Sequence, residues 1–197
     1  MNIIRVLARQ CFAICVLTLA VSVNAGAVSL SVDPATPNFN VGDSVNVDIR
    51  VSGLENEDLA AFDFFLEYDD SVLDFDSYFL GDSLGDIGNG DAEDWSMGDL
   101  GNGTLHFSEL SWLWDFDFQP DEFVLASLTF SGTGAGDSLL SLSGAVLGNA
   151  WGSSLSADIS NGMIGVASNE PVPEPASLLL TGVGLLGASW FRKKRVS

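Results

Sequence analysis

Cysteine is nearly absent from this chain: Cys11 and Cys15 are its two examples, and both fall close to the N-terminus. Everything after them is free of thiols, which excludes a disulfide framework, a cysteine nucleophile and a cysteine metal site. Positive charge is as scarce. Seven Lys and Arg stand against 27 Asp and Glu, and six of the seven lie at the ends: Arg5 and Arg9 near the start, Arg192, Lys193, Lys194 and Arg195 near the finish. Between residues 28 and 172 Arg50 faces 26 carboxylates alone, a net charge near −25 for that stretch. Nothing there could neutralise phosphates, so nucleic acid is excluded as a partner, and an anionic membrane surface for the same reason. Such acidity reads first as a solvated, self-repelling exterior, and second as affinity for divalent cations or a partner with a basic face. Histidine is reduced to His106. With no lysine or cysteine in the middle of the chain and no G-x-S-x-G turn, nucleophilic catalysis lacks its parts. Paired carboxylates suited to glycoside cleavage are unavoidable among so many acids and carry no information. The chain reads as non-enzymatic.

Long apolar runs occur only at the two ends. Arg5 and Arg9 precede an apolar core over residues 11–23 that is short for a membrane span, and Val23-Asn24-Ala25 or Ala25-Gly26-Ala27 supplies small residues for cleavage. Residues 1–27 therefore read as a secretory signal peptide. Cys15 sits in mid-core, so it does not fit a lipid-accepting cysteine. At the other end, Pro173-Glu174-Pro175 leads into an apolar run over residues 176–191, closed by Arg192, Lys193, Lys194 and Arg195. The prolines hold the motif extended, as a processing cleft requires. As a helix the run would be roughly 24 Å long, a little under the ~30 Å hydrocarbon core, so its basic flank would snorkel. That basic flank opposes translocation and leaves the C-terminus cytoplasmic.

This three-part tail resembles a PEP-CTERM sorting domain. The Pro173-Glu174-Pro175 triplet, the glycines Gly182, Gly184 and Gly187, and the basic end carry the resemblance. It implies recognition by an exosortase-type membrane enzyme and export across the inner membrane of a Gram-negative bacterium. The cell surface or the extracellular matrix is the implied destination, with membrane attachment through the C-terminal helix before processing. A plain membrane anchor with a proline-rich linker is the competing reading.

The segment between the two ends, residues 28–167, has the size of one domain, and residues 168–172 read as a linker. Val45, Val47, Ile49 and Val51 alternate with polar residues, and Phe62, Phe64, Leu66 and Tyr68 repeat the pattern, so both stretches are strands. Further strands are expected at 28–32, 104–110, 111–118, 124–130, 139–142 and 163–166, between turn clusters such as Gly88-Asn89-Gly90 and Gly101-Asn102-Gly103. The expected fold is all-β, a two-sheet jelly-roll-type sandwich of about eight or nine strands. The phrasing Val41-Gly42-Asp43-Ser44-Val45, then Phe62 through Tyr68-Asp69-Asp70 to Phe75, then Leu125 to Phe130 with Ala135-Gly136-Asp137, resembles a cohesin-type domain. Asp70 departs from the proline that many cohesins carry there. The resemblance implies docking of a partner module, dockerin, on one sheet face, and the related cellulose-binding modules imply polysaccharide.

Two candidate sites follow from the residues themselves. Trp112, Trp114, Phe116 and Phe118 would line one face of an extended segment. Period-two spacing fits the core face of a strand first, and a row on which sugar rings stack second. Trp95 and Trp151, beside glycine-rich loops, are further stacking candidates. Asp82, Asp86, Asp91, Glu93 and Asp94 crowd a second loop that would suit Ca²⁺, although the spacing is not that of an EF-hand. The function expected is non-covalent adhesion or structural contact with a surface protein or extracellular polysaccharide, with glycan recognition through exposed aromatics as the alternative.

Overall fold

The computed structural model describes residues 28–55 and 57–169. The expected signal peptide, the sorting motif and the apolar tail lie outside the described residues. Strands β1 (Val28–Pro34), β3 (Ser44–Ser52), β5 (Leu73–Leu80), β9 (Phe123–Gly132) and β12 (Ala157–Ser160) form one sheet, in the order β12-β1-β3-β9-β5. The second runs β2-β13-β10-β4-β8-β6, from β2 (Asn38–Asn40), β4 (Ala61–Glu67), β6 (Ala92–Asp94), β8 (Thr104–Ser111), β10 (Gly136–Gly148) and β13 (Gly162–Ala167). Off that path, β7 (Gly98–Gly101) pairs with β8, and β11 (Ser154–Leu155) pairs with β10. Most pairings are antiparallel; β1 with β12 and β13 with β2 are parallel.

The alternation expected of β3 and β4 places Val45, Val47, Ile49 and Val51 against Phe62, Phe64 and Leu66, all buried. Each such side chain contributes roughly 1.5–3 kcal/mol on burial. Phe107 of β8 ties the two layers together. Its ring lies 5.9 Å from Phe64 in its own sheet, and 6.3 Å from Phe75 and 5.1 Å from Tyr78 on β5 of the other. Tyr68 closes one end by packing edge-on against Phe130 at 5.2 Å. The turn from β7 to β8 depends on glycine. Gly103 has φ +67°, and a Cβ there would meet the Tyr68 carbonyl oxygen at 2.2 Å, because the Tyr68 N–H donates to the Gly103 carbonyl.

Three expectations are corrected. Residues 111–118 are not a strand: β8 ends at Ser111 and the chain leaves the sheet. Local hydrogen bonds replace the ladder there, with Leu113 N–H donating to Ser111 Oγ and Asp117 N–H to Asp115 Oδ1. Strand β5 goes unforeseen because a bulge at Asp76 sets its inward rings, Phe75 and Tyr78, three residues apart. Strand β10 runs far beyond 139–142, through a second bulge between Ser143 and Val146 that separates inward Leu142 from inward Leu147. With the short strands β2, β6, β7, β11 and β12, the described residues hold thirteen strands where eight or nine were expected.

Candidate binding surfaces

The two sheets turn different chemistry outward. On the five-stranded sheet the outward side chains of β3 and β9 bond to each other: Ser127 Oγ donates to Asp48 Oδ1 at 2.6 Å, and Thr129 Oγ1 to Asn46 Oδ1 at 3.1 Å. Ser131 Oγ donates to Asp76 on β5. Arg50 is shared among Asp33, Asp48 and Glu122 at 3.3–3.8 Å. Cross-strand pairs of this kind leave little polar capacity for a partner.

The eight-stranded sheet turns Leu139, Val146 and Met163 outward, each more than half exposed. Leu139 lies directly opposite Met163 in the β10–β13 register. Its centre is a small polar and aromatic cluster. His106 is 6 % exposed; its Nδ1 accepts the Met97 N–H at 3.2 Å, which leaves the ring proton on Nε2 to donate to Asp63 Oδ2 at 3.2 Å. Phe65 packs against the imidazole at 4.9 Å. Gly144, at φ +62° in the bulge of β10, makes room for this ring, since a Cβ there would lie 3.2 Å from Phe65 Cδ2. At the sheet edge the segment 95–97 exposes Trp95 and Met97. Sequence reasoning missed this cluster. The alternation of β4 indicates which residues face outward, but not that a bulge in the neighbouring strand β10 opens space for Phe65.

The tryptophans expected at 112–118 are on the surface. Trp112 is 55 % exposed, while Trp114 and Phe118 are almost wholly in solvent. The core-strand reading of this row is therefore wrong, because the segment has no strand partner to align it on the sheet. Trp151, 88 % exposed, stands at the tip of a second loop built on Asn149, whose Oδ1 accepts the Trp151 and Ser153 N–H groups. The two loops border one open cleft of about 440 Å³ that Trp114, Phe116 and Trp151 line. Gln119 anchors the first loop: its Oε1 accepts Leu59 N–H at 2.7 Å, and its Nε2 donates to the Leu59 and Ser83 carbonyls. On the far side of Phe116 and Ala150 an apolar hollow of about 340 Å³ continues onto the sheet face at Ala61, Leu110 and Val146.

The acidic loop is organised otherwise than calcium would require. Asp86 caps the short 3-10 turn Ile87–Asn89, accepting Gly88 N–H at 2.7 Å and the Asn89 side-chain amide at 2.9 Å. Asp94 accepts the Tyr78 hydroxyl at 2.8 Å and the Ser96 N–H. Asp82, Asp86 and Asp94 line one groove of about 400 Å³. Among the described residues, however, no three carboxylates, histidines or cysteines form a group that could hold a metal ion. The five acids expected to share a cation, Asp91 and Glu93 included, thus form no such group, because the loop's own donors engage Asp86 and Asp94.

One carboxylate is deeply buried. Glu109 of β8, opposite Asp94 of β6, is 1 % exposed and neither of its carboxylate oxygens has a hydrogen-bond partner. Burial, and then the charge of Asp94, push its carboxyl up to about 8. Its position was legible, since it shares the inward parity of Leu105 and Phe107.

The chain matches the cohesin domain over residues 28–137 and the PEP-CTERM protein-sorting motif over residues 171–194. No curated protein matches it. Among solved structures it is similar to the sixth cohesin of scaffoldin B from Acetivibrio cellulolyticus, determined in complex with a Cel5 dockerin mutant. That match has 23% identity and a TM-score of 0.61, and covers 72% of this chain and 99% of the other. A non-cellulosomal cohesin from the archaeon Archaeoglobus fulgidus matches at 15% identity and TM-score 0.55, over 73% and 94%. A cohesin module from a family 33 glycoside hydrolase of Clostridium perfringens matches at 13% and 0.58, over 74% and 98%. At these identities the likeness to solved structures establishes the fold alone.

Proposed function

This chain belongs to the cohesin family and ends in a PEP-CTERM sorting motif, and from that premise we propose that it is an exported surface protein that docks a partner module non-covalently. Cohesin domains are binding modules without catalytic activity, and the motif implies exosortase processing and a place at the cell surface. The docking face is the outer side of the eight-stranded sheet. The observation that carries this reading is the set of exposed apolar side chains Leu139, Val146 and Met163 around the Phe65–His106–Asp63 cluster, on a domain whose other sheet bonds its outward β3 and β9 side chains to one another and exposes the large apolar ring of Phe79 at its β5 edge. Exposed apolar side chains are anchors that a protein partner gains by covering. The solved cohesin of Acetivibrio, with a dockerin bound, supports the class of partner. Delivery to the extracellular matrix follows from the same tail.

The test titrates dockerin modules against the purified protein by calorimetry. Tight one-to-one binding is expected, weakened at least about 100-fold in the double variant Leu139→Asp, Met163→Asp. Undiminished binding in that variant would place the docking surface elsewhere. Sorting is tested separately, by replacing Pro173, Glu174 and Pro175 with alanine. Intact mass should then show the tail of residues 176–197 retained, where the parent protein loses it; release of both alike would refute exosortase processing.

A second reading has its own observation. The exposure of Trp114 and Trp151 beside one cleft supports recognition of extracellular polysaccharide by stacking, with Trp95 and Trp112 as outlying contacts.

A further inference from the structure

The cleft between the 112–119 loop and the 149–153 loop combines two features that ordinary surface does not. Trp114 and Trp151 border it almost fully exposed, so both faces of each indole are open to a flat ligand. Its remaining lining is dominated by carboxylates: Glu55, Glu57, Asp58, Asp115, Asp117 and Asp121. None of the six pairs with a basic side chain among the described residues, where Arg50 engages Asp33, Asp48 and Glu122 and His106 engages Asp63. Six like charges around one opening repel each other, and a cationic occupant relieves that repulsion.

We infer that this cleft binds a polysaccharide of amino sugars with free, protonated amines. The inference rests on the glycan reading above and names its substrate class. An indole takes the C–H face of a pyranose ring by stacking, and it is the strongest aromatic partner for an ammonium group. The carboxylates supply charge-assisted hydrogen bonds to the same amines. A neutral glycan would use the tryptophans and leave the carboxylates idle; an anionic glycan would be repelled. A basic peptide fits less well. The lining loops offer no free strand edge for backbone pairing, and the indoles stand out from the surface rather than wall a pocket for a side chain. The site is also preformed. Gln119 ties its first loop to Leu59 and Ser83, and Asn149 organises the turn under Trp151, so little ordering opposes binding.

The experiment titrates the protein recovered from the cell surface, at mildly acidic pH, with a glucosamine hexamer. An N-acetylglucosamine hexamer, a neutral glucose hexamer and hexalysine serve as comparisons, with tryptophan fluorescence and calorimetry as readouts. The glucosamine hexamer is expected to bind at least about tenfold more tightly than each of the other three. The variant Trp114→Ala, Trp151→Ala should lose at least about tenfold. The variant Asp115→Asn, Asp117→Asn should reduce the preference for the amine form and the salt sensitivity of binding. Equal binding of all three sugars overturns this inference while the glycan reading stands. Binding of no sugar overturns both. Tighter binding of hexalysine overturns it in favour of a basic peptide, and binding unchanged by the tryptophan variant shows charge attraction without a site. In every arm Ser127→Ala serves as the folded control, since Ser127 lies on the five-stranded sheet, outside the cleft.

Discussion

The centre of the five-stranded sheet's outward side is a lattice of short polar side chains that bond to one another, Ser127 to Asp48, Thr129 to Asn46 and Ser131 to Asp76, with Phe79 exposed at its β5 edge, whereas the eight-stranded sheet leaves Leu139, Val146 and Met163 bare around a buried histidine. Both sheets obey the same alternation and share the same core. They differ in where their polar groups find partners. The β3–β9 centre of the first face satisfies its polar groups within the domain, so it gains little from covering. The second pairs Asp63 with His106 at its centre and keeps apolar area in water, where a partner would gain from removing it.

The largest test of this comparison removes the layer that the two sheets share. Phe107→Ala should cost about 3–5 kcal/mol in chemical denaturation, because that ring packs on both Phe64 and the β5 pair Phe75 and Tyr78. A cost below about 1 kcal/mol would mean that the sheets are held together by other contacts. Glu109→Gln sharpens the comparison at the β6 edge. The folded carboxyl titrates at about 8 and the ordinary value is 4.5, so between those pH values the folded state holds a proton that the unfolded chain has released. Stability is therefore fully present below 4.5 and is lost as pH rises toward 8. The parent's melting temperature should fall by roughly 5 °C or more across that window, and the variant should lose that component of the slope. Parallel pH profiles for the two proteins would refute the buried-acid assignment. On the self-satisfied face, Ser127→Ala should cost about 1 kcal/mol by taking a donor from Asp48, without changing dockerin binding. Arg50→Ala should cost at most about 1 kcal/mol, and that cost should vanish at high salt, because its three ion pairs are partly exposed.

Alternation foretold β3, β4 and β8, and it foretold β9 despite an irregularity at Leu125 near its start, because the regular run from Ala126 to Phe130 remains. The inward residues of β3, and those of β4 and β8, appear in the sequence at strict intervals of two, and they fill the core as expected. Strand β5 and the second half of β10 were obscured because one bulge each moves the inward positions out of phase. Residues 111–118 failed in the opposite sense. Their aromatics alternate, yet alternation is a property of side chains, while a strand also needs a neighbour for its backbone. The acidic loop was visible as a cluster, but its composition does not tell that Gly88, Asn89, Tyr78 and Ser96 supply the donors.

By itself the sequence determined the all-β class, the sorting motif and the family, because period-two burial and linear motifs are local properties of the chain. Tertiary structure decided which face is bare, that Trp114 and Trp151 share a cleft with six carboxylates, and that Glu109 lacks a partner. Those depend on bulges, strand ends and loop closures, which bring residues far apart in the chain within reach of each other, and no local pattern encodes that proximity.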